Sequence, residues 1–147
     1  MIDIDNGWIE QLLYVVKKNK SIVVSEIAYV IVTTVFLFCL SDINKKLNKL
    51  FSPDDYLGII SYDSYQPFRF FLFAFFLFVV GVFIIYMLFK KMRHTYDIEI
   101  DDIVLCFVLI LMTLVFLILI IIYINNPILR AIFMLALLVG AFALAYS

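Results

Sequence analysis

Histidine occurs once in this chain, at His94, and glycine only four times. One histidine leaves no His-based metal or haem site within a single chain. The glycines, Gly7, Gly58, Gly81 and Gly140, are scattered. They form no Gly-rich phosphate loop, and neither a GxSxG nor an HExxH pattern occurs. The two cysteines, Cys39 and Cys106, stand in apolar runs and form no CxxC pair, so they read as small hydrophobes. Charge is missing from long stretches: no Lys, Arg, Asp or Glu lies between Arg69 and Lys90, between Asp102 and Arg130, or after Arg130. A formal net charge of −1 supplies no field for nucleic acid. These absences lead to the expectation of a non-enzymatic chain with no cofactor, no metal and no direct contact with nucleic acid.

What fills the gaps is apolar. Hydrophobic residues make up 66% of the 147, against about 45–50% in soluble domains. A small globule still shows most of its side chains to solvent, so this excess calls for lipid. Four runs, at about 22–40, 70–89, 103–124 and 128–146, reach the roughly 20 residues that cross about 30 Å of hydrocarbon. They are continuously apolar, which fits helices and not the alternating strands of a barrel. The fold class expected is all-α: a polytopic membrane protein whose four-transmembrane-helix bundle, with short interfacial amphipathic helices, makes one domain of 1–147. Met1 to Asp5 is acidic and no basic segment comes first, so the first span is expected to stay as an anchor.

Between the spans the sequence suggests structure at the membrane surface. In 6–20, Trp8, Ile9, Leu12, Leu13 and Val16 recur at helical spacing, Asp5 or Asn6 can cap the start, and Lys17, Lys18 and Lys20 close the end. This is a candidate interfacial helix. The extramembrane segment 41–67 holds an apolar stripe of Ile43, Leu47, Leu50 and Phe51. It then holds Ser52-Pro53-Asp54-Asp55, which reads as a helix start with Ser52 as cap. The extramembrane segment 90–102 is basic and then acidic. Lys90, Lys91 and Arg93 are candidate contacts for headgroups or a partner. Asp97, Glu99, Asp101 and Asp102 match no calcium loop. Tyr96, Ile98 and Ile100 alternate with acids, as in a short extended stretch. Asn125-Asn126-Pro127 is a turn in which Asn126 caps the last helix, making helices three and four a tight antiparallel hairpin. Four spans put both ends on one side. Six basic residues against five favour the cytoplasmic side for them, by one charge, and the location expected is the bacterial inner membrane.

Glu26 is the one acidic residue inside a span. Intramembrane carboxylates are costly and often functional. Ser25, Tyr29 and Thr33 join it in a candidate polar stripe. Glu26 follows Lys20 by six residues, about 9 Å along a helix, which suggests either a place near the interface with its side chain reaching water or a glutamate that pairs helices. With four short helices and one glutamate in the first, the chain resembles the small multidrug exporters, and that resemblance would make Glu26 the proton-coupling group. The chain differs from them in its long first connection and its few glycines. In the fourth span, Ala136 with Gly140 and Ala141 with Ala145 are small-xxx-small pairs, a candidate face for helix packing or oligomerisation. Gly81 offers a place for a bulky neighbour.

Three functions are compatible with this pattern. The leading expectation is an interaction protein that assembles with itself or with a membrane or cytosolic partner. It would sense or alter the state of the cell envelope, as a bacterial membrane sensor, anti-phage defence subunit or immunity protein does. The alternatives are a small oligomeric proton- or ion-coupled transporter or channel using Glu26, and a holin-like toxin that permeabilises the membrane.

Overall fold

The computed structural model describes residues 7–52, 54–94 and 99–145, with positions 56, 94, 127, 128 and 140–145 described by backbone alone. The described residues fold into five helices and no strand. These are α1 (Gly7–Lys18), α2 (Lys20–Leu50), α3 (Tyr56–His94), α4 (Ile100–Tyr123) and α5 (Pro127–Ala145). Val and Ile abound in the spans, yet in lipid only a helix or closed barrel satisfies every backbone group, and that overrides strand preference. Three helices, α2, α3 and α4, are long and apolar enough to cross a membrane. α5 is apolar over Leu129–Val139 but shorter in its described part.

α2 continues without a break through Ser41 to Leu50, so the first half of the expected connection 41–67 is helix. Its polar residues do not interrupt the backbone bonds, and Ile43 and Leu47 stay buried along the same face as Phe36 and Leu40. The next helix starts later than Ser52 suggests. The Asp55 carboxylate accepts a bond from the Gly58 backbone N–H at 3.0 Å, so Asp55 is the cap and α3 begins at Tyr56. Pro53 lies outside the described residues.

α3 breaks at Tyr62–Tyr65, where Asp63, Ser64 and Tyr65 take φ of 46°, 56° and 63°. Pro67 explains the position. Its ring would strike the carbonyl four residues back, at Asp63, and it has no N–H to offer a preceding turn. Past the break α3 runs unbroken to His94, so Lys90, Lys91 and Arg93 of the expected connection 90–102 belong to its last turns. Tyr96, Asp97 and Ile98 lie outside the described residues. Ile100 opens α4.

α2 and α4 run parallel, with α3 antiparallel between them. Asn19 meets Asp102 at one end, and Asn44 donates to the Tyr123 carbonyl at the other, 2.8 Å. The turn before α5 forms as expected: the Asn126 side chain accepts from the Leu129 N–H at 3.2 Å, and Pro127 takes the first helical position. Arg130 closes the far end of α4 by donating to the carbonyls of Ile122 and Ile124. α5 then leans on α3 more than on α4. Phe133, with no exposed surface, meets the rings of Phe71, Phe75 and Phe78 edge-on at 5.0–6.2 Å. This aromatic contact, and not the small residues, holds the described part of α5. Ala136 is half-buried, while the side chains of Gly140, Ala141 and Ala145 lie outside the described residues.

Phe133→Ala should lower stability in detergent by about 2 kcal/mol or more, because the cavity cost of a large deletion persists even where lipid weakens the transfer cost. Thermal unfolding measures this, and an unchanged transition would show that α5 is not docked on α3.

Candidate functional site

The bundle interior is layered. At the α1 end an apolar layer of Leu88, Cys106, Leu109 and Ile110 packs against Ile22, Val23, Ile84 and Ile85. Towards the other end lies the larger cluster around Phe36, Leu40, Phe71, Phe78, Ile120 and Phe133. Between them is a polar layer drawn from three helices: Glu26, Tyr29 and Thr33 of α2, Thr113 of α4 and Gly81 of α3. The four polar side chains are 0–5% exposed.

Helical geometry brings these residues together. On α2, steps of three, four and seven residues put Glu26, Tyr29 and Thr33 on the face turned to α3 and α4. Ser25, the fourth member of the expected stripe, is turned away. It is exposed and donates to the Ser21 carbonyl of its own helix at 2.9 Å. The Thr113 hydroxyl is 2.7 Å from Glu26 Oε1 and 2.9 Å from the Leu109 carbonyl. Thr113 stands near the middle of α4, so Glu26 pairs α2 with α4 inside the bundle. Its carboxyl turns inward to the centre of the bundle, with 2% of the residue exposed.

Gly81 is what admits Tyr29. A Cβ at position 81 would collide with the Tyr29 hydroxyl and come within 2.7 Å of Leu117 Cδ2. The bulky neighbour expected at Gly81 is thus a tyrosine from α2. The Tyr29 and Thr33 hydroxyls lie close to one another without the alignment of a hydrogen bond. Among the described residues, Glu26 Oε2, Tyr29 OH and Thr33 Oγ1 have no hydrogen-bond partner. No ammonium or guanidinium among them forms an ion pair with Glu26. Buried polar atoms are nearly always bonded. This layer therefore holds an all-oxygen set of donors and acceptors larger than the helices themselves satisfy. Such a set can bind a proton, a water or a small hard cation, which takes oxygen ligands.

The membrane end nearest this layer is closed by a second polar cluster that the sequence does not announce. Asn19, between α1 and α2, uses its whole amide. The Nδ2 group donates to the Val15 carbonyl at 2.9 Å and to Asp102 Oδ1 at 2.6 Å, and Oδ1 accepts from Lys91. Lys18 bridges Asp102 at 2.9 Å and Glu99 at 3.3 Å. The hydrogen bond to Asp102 holds the Lys18 ammonium above its ordinary pKa. A raised lysine pKa means that the pair's contribution is fully present below the ordinary value near 10.5 and is lost as pH rises through the higher one. Asp101 accepts from Gln11. The acidic run therefore ties α1 across the start of α4, and Asp97 lies outside the described residues. Among the described residues no cluster of His, Cys, Asp and Glu could hold a metal. Lys90 and Arg93 remain exposed at this end, while Lys91 turns inward to Asn19.

No protein-family model, curated protein or solved structure matches this chain.

Gly81→Ala should destabilise the bundle by about 1–3 kcal/mol through overpacking. Adding Tyr29→Phe, which removes the hydroxyl nearest the new methyl, should recover part of that loss. Unfolding temperatures of the two single variants, the double variant and wild type test the pairing. A fully additive result would mean that Gly81 and Tyr29 do not meet.

Proposed function

We propose that this chain is a non-enzymatic, four-span membrane protein of the proton- or ion-coupled kind, in which Glu26 takes up and releases the coupled ion. One observation carries this reading. A carboxyl at the centre of a lipid-embedded bundle has a single neutral donor, Thr113, and an unpartnered second oxygen. A charge there without a counter-ion is expensive, so such a group is retained for a purpose more often than for stability. Tyr29, Thr33 and Thr113 supply the neighbouring oxygens. Ser25 takes no part, since it faces outward. The depth of Glu26 is what places this reading above the interaction protein. A shallow, watered glutamate would have favoured the reverse order.

The envelope-sensing reading keeps one observation of its own. α1 exposes Trp8, Leu12 and Leu13, a face suited to the headgroup layer. The same helix is bonded through Gln11 and Lys18 to α4, which carries Thr113. A change at the membrane surface would thus pull on α4, whose Thr113 bonds Glu26. In both readings α5 is the fourth span, lipid is the main partner, and self-assembly or a protein partner enlarges the pathway or surface.

In proteoliposomes the wild type should dissipate or exploit an imposed pH or sodium gradient, and Glu26→Gln should abolish the flux. Absent wild-type flux, or flux that survives the substitution, would defeat the coupled reading. Tags at the two ends should also be cleaved from the same face of sealed vesicles. Cleavage from opposite faces would mean that α5 does not span.

A further inference from the structure

At the end of the bundle away from α1, a cavity of about 260 Å³ opens between α2, α3 and the turn before α5. Its floor is apolar: Leu40, Phe71, Ala74 and Leu129 belong to the buried core that surrounds it. Its rim is formed of carboxamides. Asn44 and Asn48 come from α2, and Asn125 and Asn126 from the turn. We infer that this cavity is a binding site for a small neutral amphiphile, held by a hydroxyl or amide head on the asparagine rim and an aliphatic chain on the apolar floor.

The chemistry of the lining argues for neutrality. None of the fourteen residues around the cavity is ionisable, although this stretch of α2 carries Asp42, Lys45, Lys46 and Lys49. All four are exposed, and all point elsewhere. A charged head would enter with no counter-charge among the lining residues. A hydroxyl or amide would find complementary groups. Asn48 Oδ1 is taken by Asn125 at 3.2 Å, and Asn44 Nδ2 by the Tyr123 carbonyl at 2.8 Å. That leaves Asn48 Nδ2 as a donor, and Asn44 Oδ1 and Asn125 Oδ1 as acceptors, on side chains that line the cavity. Convergent polar groups over an apolar floor are the usual form of a small-molecule site.

The break in the helical path of α3 gives the cavity a separate wall. Ile59 lines it from the short leg before the left-handed residues Asp63–Tyr65, and Pro67 and Phe70 line it from the long leg beyond them. The short leg is joined to the bundle through that break, so this wall can shift without disturbing the span. The site lies beyond the aromatic layer from Glu26 and does not depend on the coupled-ion reading.

The test is photolabelling of the full chain in lipid nanodiscs with a diazirine-bearing decanol, and with the matching decanoic acid as the charged control. The label should concentrate in residues 40–48, 67–74 and 124–129. The alcohol should exceed the acid by at least about tenfold, equal to about 1.4 kcal/mol. Ala74→Leu should block the floor and reduce labelling. Because Ala74 is fully buried, that change also loads the core. The pair Asn48→Leu and Asn125→Leu alters exposed side chains and should remove the preference for the alcohol in a folded protein. Label spread over lipid-facing residues such as Phe38 and Phe76, equal capture of alcohol and acid, or a rim variant without effect would each overturn the assignment.

Discussion

Hydrocarbon offers a polar atom nothing to bond with, and that constraint governs this protein at every scale. It fixes the backbone as helix despite an abundance of Val and Ile. It also decides where the side-chain oxygens go. Glu26, Tyr29, Thr33 and Thr113 turn inward between α2 and α4, at the level of Gly81 of α3. Apolar layers pack on either side of them along the bundle. This layer ties α2 to α4 through one bond and leaves the carboxyl's bonding incomplete.

The two ends of the bundle answer the same constraint in different ways. At the α1 end, ions pair. Lys18, Glu99 and Asp102 neutralise one another, and Asn19 links three helices through one amide. At the other end, neutral carboxamides and Arg130 satisfy the carbonyls exposed where α4 stops. Surface ion pairs contribute little to stability on their own. Asp102, however, has only 5% of its side chain exposed, and its pairing connects α1 to the helix that carries Thr113. The end with ion pairs is therefore sensitive to charge, and the end with carboxamides is suited to neutral molecules.

The sequence revealed those features that depend on one segment at a time. The apolar runs gave α2, α3 and α4. Asn126-Pro127 gave the start of α5, and helical spacing picked out Tyr29 and Thr33 beside Glu26. Features that need two or three segments at once were hidden. The burial of Glu26 depends on Thr113, a threonine with no sequence mark to separate it from Thr33 or Thr34. Asn19 matters only because Asp102 and Lys91 arrive beside it, and neither neighbour can be inferred from one chain's periodicity. Ser25 was drawn into the stripe by its four-residue spacing from Tyr29, but it sits at the edge of that face and finds a backbone partner instead. The continuation of α2 to Leu50 was missed because polar residues mark the end of hydrocarbon and not the end of a helix.

Carbodiimide modification in intact membranes, read by peptide mass spectrometry, distinguishes a Glu26 buried inside the bundle from one open to water. A buried Glu26 should be modified by an apolar carbodiimide, while a water-soluble one with an amine nucleophile should modify exposed Asp54 and Asp55 and leave Glu26 untouched. Modification of Glu26 by the water-soluble reagent as fast as those aspartates would contradict that burial and show a carboxyl open to water.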